Sequence, residues 1–363
     1  MEKREKVLEV RDLSISFTTT GGDLNAIRGV NLDVYRGETV AIVGESGSGK
    51  SVTVKAAMGI MDKNARVNGG SIKFWYYEGE GDNRTKKEVD LLQMPNSCDS
   101  NNGLNGRTTT LRAIRSAGIE PVGAFSSSEE FKKSKGYTMT EIQGVKVGFV
   151  AFTKGLGGRG MPAGSEDLVN ILYSDYTPLY NEIDKTRITS ILKSMEEEKP
   201  DITVALLHWG SEYNDDISKT QEQIVSLLNK NGVDVIIGTH PHTLQPIEFD
   251  KSAGTLVAYS LGDFFGDANR GATNYSVILD VEITKDENAG TTKVTDYTLY
   301  PIYTVRETEC VGNNDRRVVR IGTALSAYNG NFLDKVTDSC KEAMEYALTR
   351  IDERTVVKEE EDK

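Results

Sequence analysis

The chain has 363 residues and a formal charge of −12, with 43 Lys and Arg against 55 Asp and Glu. This balance excludes a protein that coats nucleic acid, because binding a polyanion requires clustered basic residues. No stretch approaches the roughly 18 apolar residues of a membrane span, and the start MEKREKVLEV lacks the apolar core of a secretory signal. Three scattered cysteines without a CxxC pair are typical of a reducing compartment. We therefore expect a cytoplasmic protein.

The charge is distributed unevenly along the chain. Residues 1–93 carry 14 basic and 14 acidic residues, so the whole net charge lies beyond them. A shift of this kind indicates that two unrelated segments are joined. The sequence therefore predicts a boundary near residue 93.

A phosphate-binding loop is the first motif along the chain. The apolar run 38–43 (ETVAIV) predicts a strand and leads into Gly44–Ser51 (GESGSGKS), which fits GxxxxGK[ST] at every fixed position. Glycines let such a loop point backbone N–H groups at phosphate oxygens, and the helix predicted over Val52–Met61 presents its N-terminus to the same anion. We expect Lys50 to neutralise the outer phosphates and the Ser51 hydroxyl to ligate Mg²⁺.

The surrounding residues resemble the start of an ABC-transporter ATPase of the oligopeptide and dipeptide importer subfamily. The resemblance covers about residues 5–93 and includes LEVRDLSISF (Leu8–Phe17), AIRGVNLDVYRG (Ala26–Gly37) and GGSIKF (Gly69–Phe74). It implies that Phe17 stacks on adenine. The resemblance thus implies an ATP and Mg²⁺ site made of Phe17, Gly44, Gly47, Gly49, Lys50 and Ser51.

The rest of the ATPase machinery is missing from the sequence. After Met94 there is no glutamine loop, no LSGGQ-type signature and no apolar run that ends in Asp-Glu. Without that carboxylate pair, neither Mg²⁺ nor the attacking water has its usual partners. We therefore expect at most a nucleotide-binding remnant without ATP turnover.

The three histidines of the chain all follow apolar runs in the second segment. His208 follows the run 202–207 (ITVALL), and His240 and His242 follow the run 233–237 (VDVII), with helical spacing over Ile217–Asn231 between them. A strand–helix–strand unit brings the carboxyl ends of its strands to one edge of a parallel sheet. Imidazoles that converge there predict a metal site, whereas isolated loop histidines would be ordinary hydrogen-bonding groups.

These motifs resemble the CapA/PgsA-type capsule-synthesis proteins linked to poly-γ-glutamate. HWGSEY at 208–213, GTHPHTLQP at 238–246 and YSLGDF at 259–264 occur in the order of that family, and the resemblance runs from about Asn96 to about Tyr303. It implies a calcineurin-like metallophosphatase fold and a divalent metal, Zn, Mn or Fe.

The resemblance also implies the roles of single residues. His208, His240, His242 and Asn96 would ligate the metal, and Glu212 would be a neighbouring or substrate-binding group in the catalytic set. Cys98 stands in place of the catalytic histidine of the family, and Asp263 in place of its usual Asn. The Gly-Asp and Asn-x-Glu motifs that lie further upstream in the family are absent here. Three imidazoles without bridging carboxylates suit one cation better than a pair.

The sequence thus predicts an α/β protein in which a partial P-loop β/α subdomain precedes a truncated metallophosphatase-like αββα sandwich. We predict three regions: an ATP-binding segment over 1–93, a CapA-like domain over 94–310 and a helical segment with an acidic tail over 311–363. Three functions stay open. They are an impaired CapA-like protein that acts on an anionic polymer or phosphoester, a non-hydrolysing nucleotide-binding module, and a fusion product with neither activity.

Overall fold

A computed structural model describes most of the chain, and it divides into two compact units. The first comprises Met1–Leu92 with Arg112–Glu120, and the second comprises Gln93–Leu111 with Pro121–Lys363. The residues described are 6–19, 22–35, 49–57, 65–74, 76–78, 85–87, 90–93, 103–116, 119–177, 179–266, 270, 272–286, 289–306, 309, 317–329 and 336–358.

The first unit contains a three-stranded antiparallel sheet. Its central strand β1 (Lys6–Thr19) pairs with β2 (Gly22–Tyr35) and with β3 (Ala65–Phe74). The strand predicted from the alternation at 8–17 is confirmed, because the apolar residues Val10 and Ile15 are buried against the helix α1 (Lys50–Ala57). Next along the chain come β4 (Tyr76–Glu78), β5 (Thr85–Lys87), β6 (Asp90–Gln93), α2 (Gly103–Ser116) and β7 (Ile119–Val122), and the last three of these elements each have residues in both units.

A seven-stranded mixed sheet organises the second unit. The strands β10 (Ile202–His208) and β11 (Val235–Thr239) are parallel neighbours, as the strand–helix–strand pattern predicts. The strand β9 (Val145–Thr153) lies parallel to β10 on its other side. The parallel run continues into β13 (Thr255–Ala258). The outer strands are β8 (Thr138–Ile142) at one edge, and β12 (Ile247–Asp250) followed by β17 (Thr355–Lys358) at the other.

The two faces of this sheet are buried in different apolar clusters. On β10, Val204 belongs to one cluster and Ala205 to the other, because successive side chains of a strand point to opposite faces. The cluster that contains Ala205 includes the helices α4 (Lys185–Glu196) and α5 (Lys219–Lys230). The cluster that contains Val204 includes β14 (Tyr275–Asp286), β15 (Thr291–Val305), α6 (Ile321–Asn329) and α7 (Asp338–Glu353). The remaining elements are α3 (Ser128–Ser134), a 3-10 turn (Glu166–Leu168) and β16 (Arg317–Arg320). The α/β class is therefore confirmed.

The C-terminal region is built differently from the helical segment predicted over 311–363. It does contain α6 and α7, but Arg317–Arg320 and Thr355–Lys358 are strands, and the latter pairs with β12 of the main sheet. The apolar face of α7 attaches this region to the main sheet, because Met344 and Ile351 are buried in the core beside residues of the sheet. These residues therefore belong to the same compact unit as the main sheet.

Candidate metal centre

The register of three parallel strands places the candidate residues at one edge of the sheet. Thr153 at the end of β9 pairs with His208 at the end of β10, and His208 pairs with Thr239 at the end of β11. The segments that follow these three positions therefore emerge side by side. They carry Lys154, the run from His208 to Glu212, and the His240–His242 turn.

The structure brings the three histidines together. The ring centroids of His208 and His240 are 4.3 Å apart, and those of His240 and His242 are 6.2 Å apart. Our sequence hypothesis requires His208 within about one helix diameter of His240, and the observed separation meets that condition.

The tightest group of potential ligands includes a carboxylate. Among the described residues, Glu212, His240 and His242 offer one ligand atom each, and these atoms lie within 4.8 Å of one another. His208 is not a member of this group, although its ring lies beside that of His240. Its Nδ1 atom is instead 3.3 Å from the Thr153 hydroxyl. The geometry thus places Glu212, expected as a neighbouring group, among the potential ligands.

Burial keeps two of the imidazoles neutral. Burial, assisted by the charges of His240 and Lys154, lowers the pKa of His208 to about 3. Burial also lowers the pKa of His240 to about 4, again assisted by Lys154. A metal ligand must be deprotonated. At neutral pH both rings therefore have lone pairs available for a cation.

Polar and aromatic neighbours fix the orientation of His242. Its Nδ1 atom is 2.9 Å from Asp263 Oδ1 and 3.1 Å from Oδ2, so the ring donates to the carboxylate and its Nε2 atom is left for a cation. The Tyr213 ring stacks on the imidazole with a centroid distance of 5.3 Å, and the Arg270 guanidinium lies 4.0 Å from the Tyr213 centroid. In the sequence, Asp263 stands out only as a departure from the family, and no local pattern marks Tyr213 or Arg270 as residues of the site.

The turn that carries the histidines has an unusual backbone. His240 has a φ of 96° and His242 a φ of 63°, in the left-handed region that residues with a Cβ rarely adopt. Such strain persists only where surrounding contacts impose it, and it is concentrated at functional sites. Here Tyr213 N donates to Pro241 O at 2.7 Å. The Gln245 side chain donates to Asn214 O at 2.9 Å, so the two loops are fastened to each other.

Trp209 packs beneath the site. It is fully buried, its Nε1 atom donates to Tyr259 O at 2.9 Å, and the two rings stack. This packing requires glycine at 238, since a Cβ there would lie 1.9 Å from Tyr259 O and 2.3 Å from Trp209 Nε1. The floor of the site therefore leaves no space for a larger residue on β11.

Lys154 is a charged residue of the site that was not predicted from the sequence. Its Nζ atom donates to Gly210 O at 2.6 Å, and its backbone N–H donates to His208 O at 2.7 Å. A sequence signal exists, because the strand VKVGFVAFT ends at Thr153, directly before Lys154, at the same edge of the sheet as β10 and β11. The histidine pattern alone does not mark this third strand end.

The other predicted site residues are placed only in part. Asn96, Cys98, Gly44 and Gly47 lie outside the described residues, as do the side chains of Lys50 and Ser51. Gly49 has a φ of 87°, and Thr53 N donates to its carbonyl at 2.9 Å at the start of α1. Phe17 lies on β1, half-buried against the apolar cluster of the first unit. Its predicted contact with adenine stays a prediction.

The second unit is thus an α/β domain with a histidine and carboxylate cluster at the carboxyl edge of parallel strands, an arrangement able to hold a divalent cation. The profile of the family described as bacterial capsule synthesis protein PGA_cap matches residues 65–268. The chain belongs to this family.

Two curated relatives belong to different classes of protein, and each matches only a part of this chain. The PGA biosynthesis protein CapA of Bacillus subtilis is 29% identical over 199 residues, which are 54% of this chain and 47% of CapA. The dipeptide transport ATP-binding protein DppD of Lactococcus lactis is 56% identical over 70 residues, 19% of this chain and 20% of DppD. The chain therefore combines sequence similar to two unrelated proteins and spans less than half the length of either.

Similarity to solved structures is weak. A structure described as a novel phosphatase from Mycoplasma pneumoniae aligns with a TM-score of 0.32 and 10% identity, over 51% of this chain and 63% of that one. A similarity of this size does not define a fold. Separately, none of the helices in the described part of the chain is both long and apolar enough to cross a bilayer.

Proposed function

We propose that the second unit binds one divalent cation and that this centre acts on an anionic polymer or a phosphoester in capsule synthesis. The observation that carries the proposal is the group Glu212, His240 and His242, whose ligand atoms lie within 4.8 Å of one another. One carboxylate and imidazole nitrogens suit Zn²⁺, Mn²⁺ or Fe²⁺. The name of CapA supports the role in polymer synthesis.

Each residue of the group has a distinct task in this proposal. His240 and His242 would bind the cation through neutral nitrogens, and Glu212 would supply negative charge that offsets part of the cation's own. His208, beside His240, would complete the coordination after a small shift of its side chain. A divalent cation bound there supplies Lewis acidity toward an ester oxygen or a water molecule.

Metal analysis of the purified full chain tests this function. Wild type is expected to retain about one equivalent of metal after dialysis, and His240→Ala and Glu212→Gln to retain far less, because each loses a ligand. Glu196→Gln, an exposed substitution on α4, is the matched control and should behave as wild type. Equal metal content in all four proteins, or none in wild type, would contradict the proposal.

A second candidate function is nucleotide binding through the loop at 44–51. The 56% identity with DppD over 70 residues favours it, as does the positive φ of Gly49 at the start of α1. A Cβ at Gly49 would lie 2.7 Å from Ala26 O, so the position requires glycine. A rise in melting temperature with Mg-ATP would support this function, and no rise at millimolar concentrations would contradict it.

A further inference from the structure

Lys154 is held in place at the edge of the candidate metal centre. Its side chain passes over the Tyr180 ring, with Nζ 5.0 Å from the centroid, and Nζ donates to Gly210 O. Gly210 lies between His208 and Glu212 in sequence, so the ammonium group is anchored to the segment that carries two of the candidate groups. An ammonium group has three N–H donors, and Gly210 O accepts from one of them.

The charge of Lys154 reaches the candidate ligands. Besides burial, the Lys154 charge lowers the pKa of both His208 and His240. Burial lowers the pKa of Lys154 itself, and the charge of Glu212 offsets part of that shift. The hydrogen bonds from Lys154 to Gly210 O and to His208 O hold this residue beside the segment that carries His208 and Glu212. The charge of Lys154 therefore acts on the candidate ligands in a partly desolvated site.

The positive charges expected at the site outnumber its negative charges. A divalent cation, the Lys154 ammonium and the Arg270 guanidinium beside Tyr213 together carry four positive charges, whereas Glu212 and Asp263 carry two negative charges when ionised. Partly buried positive charge that is not balanced is costly. A site of this composition therefore favours an anionic ligand at the place where the cation and the ammonium group meet.

We propose that Lys154 Nζ binds an oxygen of a phosphoester that is held at the metal centre, and that its ammonium supplies the fixed positive charge that a second cation would provide. This inference rests on the proposed function, because it needs the single metal. A phosphoryl group suits the position since it has several oxygens, one for the cation and one for the ammonium. Lys154 would be a binding residue for this substrate class.

Lys154→Met tests the inference because methionine keeps the length and apolar stem of lysine and removes the charge. The probe is inorganic phosphate, titrated calorimetrically into metal-loaded protein. Loss of a charge-assisted hydrogen bond is expected to weaken phosphate binding about tenfold or more, with metal content unchanged. Lys154→Arg should recover part of the affinity. Lys193→Met, an exposed change on α4, is the matched control and should bind phosphate as wild type.

The outcomes separate the inference from the function on which it rests. Absence of metal from wild type would overturn both. Normal metal content in Lys154→Met with phosphate affinity within twofold of wild type would overturn the inference alone. A lower melting temperature with unchanged phosphate affinity would assign Lys154 a purely structural role. Binding of glutarate in place of phosphate would overturn the phosphoester assignment.

Discussion

Asp263 offers a quantitative test of how the His242 ligand is oriented. Both carboxylate oxygens of Asp263 lie within 3.1 Å of His242 Nδ1. A carboxylate in this position fixes the tautomer and raises the basicity of the ligating nitrogen, and its loss typically costs about 10–100-fold in metal affinity. We therefore expect Asp263→Ala to weaken zinc binding by about 1.4–2.7 kcal/mol.

Asp263→Asn is the informative intermediate, because its amide oxygen still accepts from Nδ1–H but carries no charge. Its affinity should fall between those of wild type and Asp263→Ala. The assay is competition with a chromophoric zinc chelator at pH 7.5, and Asp280→Asn, an exposed change on β14, is the control. Zinc affinity of Asp263→Ala within twofold of wild type would refute the view that Asp263 acts through His242.

Three further predictions concern other parts of the molecule. Burial depresses the pKa of His208 to about 3, so the metal-free protein has the full stabilisation from this neutral ring above pH 6.5. Its free energy of unfolding should fall by about 2 kcal/mol between pH 6.5 and pH 5, because the ring takes up a proton in the unfolded state. His240 adds a smaller contribution of the same sign, since solvent reaches its ring more easily. Urea unfolding at the two pH values checks this, and a slope that His208→Gln leaves unchanged would contradict it. Gly238→Ala should cost about 3 kcal/mol or more in the same assay, because the new Cβ overlaps Tyr259 O; wild-type stability would be the opposing result. Lys50→Ala should abolish any rise in melting temperature with Mg-ATP, and ATP hydrolysis should stay at the blank rate in both proteins; turnover that depends on Lys50 would show that the missing carboxylates have been replaced.

The strand ends of the second unit could be predicted because their sequence signals are local. The runs before His208 and His240 are apolar and short, and the helix between them begins with a capping box formed by Ser218 and Gln221. These features establish the direction of the chain, and a parallel pair then follows from the length of the crossover. The convergence of the histidines required nothing further.

Other parts of the site depend on contacts between residues distant in the sequence. No local pattern predicts the hydrogen bond between His242 and Asp263, which are 21 residues apart. The same is true of the hydrogen bond between Lys154 and Gly210, which are 56 residues apart. The positive φ at His240 and His242 is likewise imposed by the surrounding loops. The strand at 355–358 was missed for the same reason, because its partner β12 lies about a hundred residues earlier.

X-ray absorption at the zinc edge tests the central claim most directly. Zinc-loaded wild type is predicted to show a single zinc with at least two imidazole nitrogens at about 2.0–2.1 Å and one carboxylate oxygen. The imidazole signal should decrease in His240→Ala. A spectrum without imidazole scattering, or one with a second metal at about 3.5–4 Å, would contradict a single cation held by Glu212, His240 and His242.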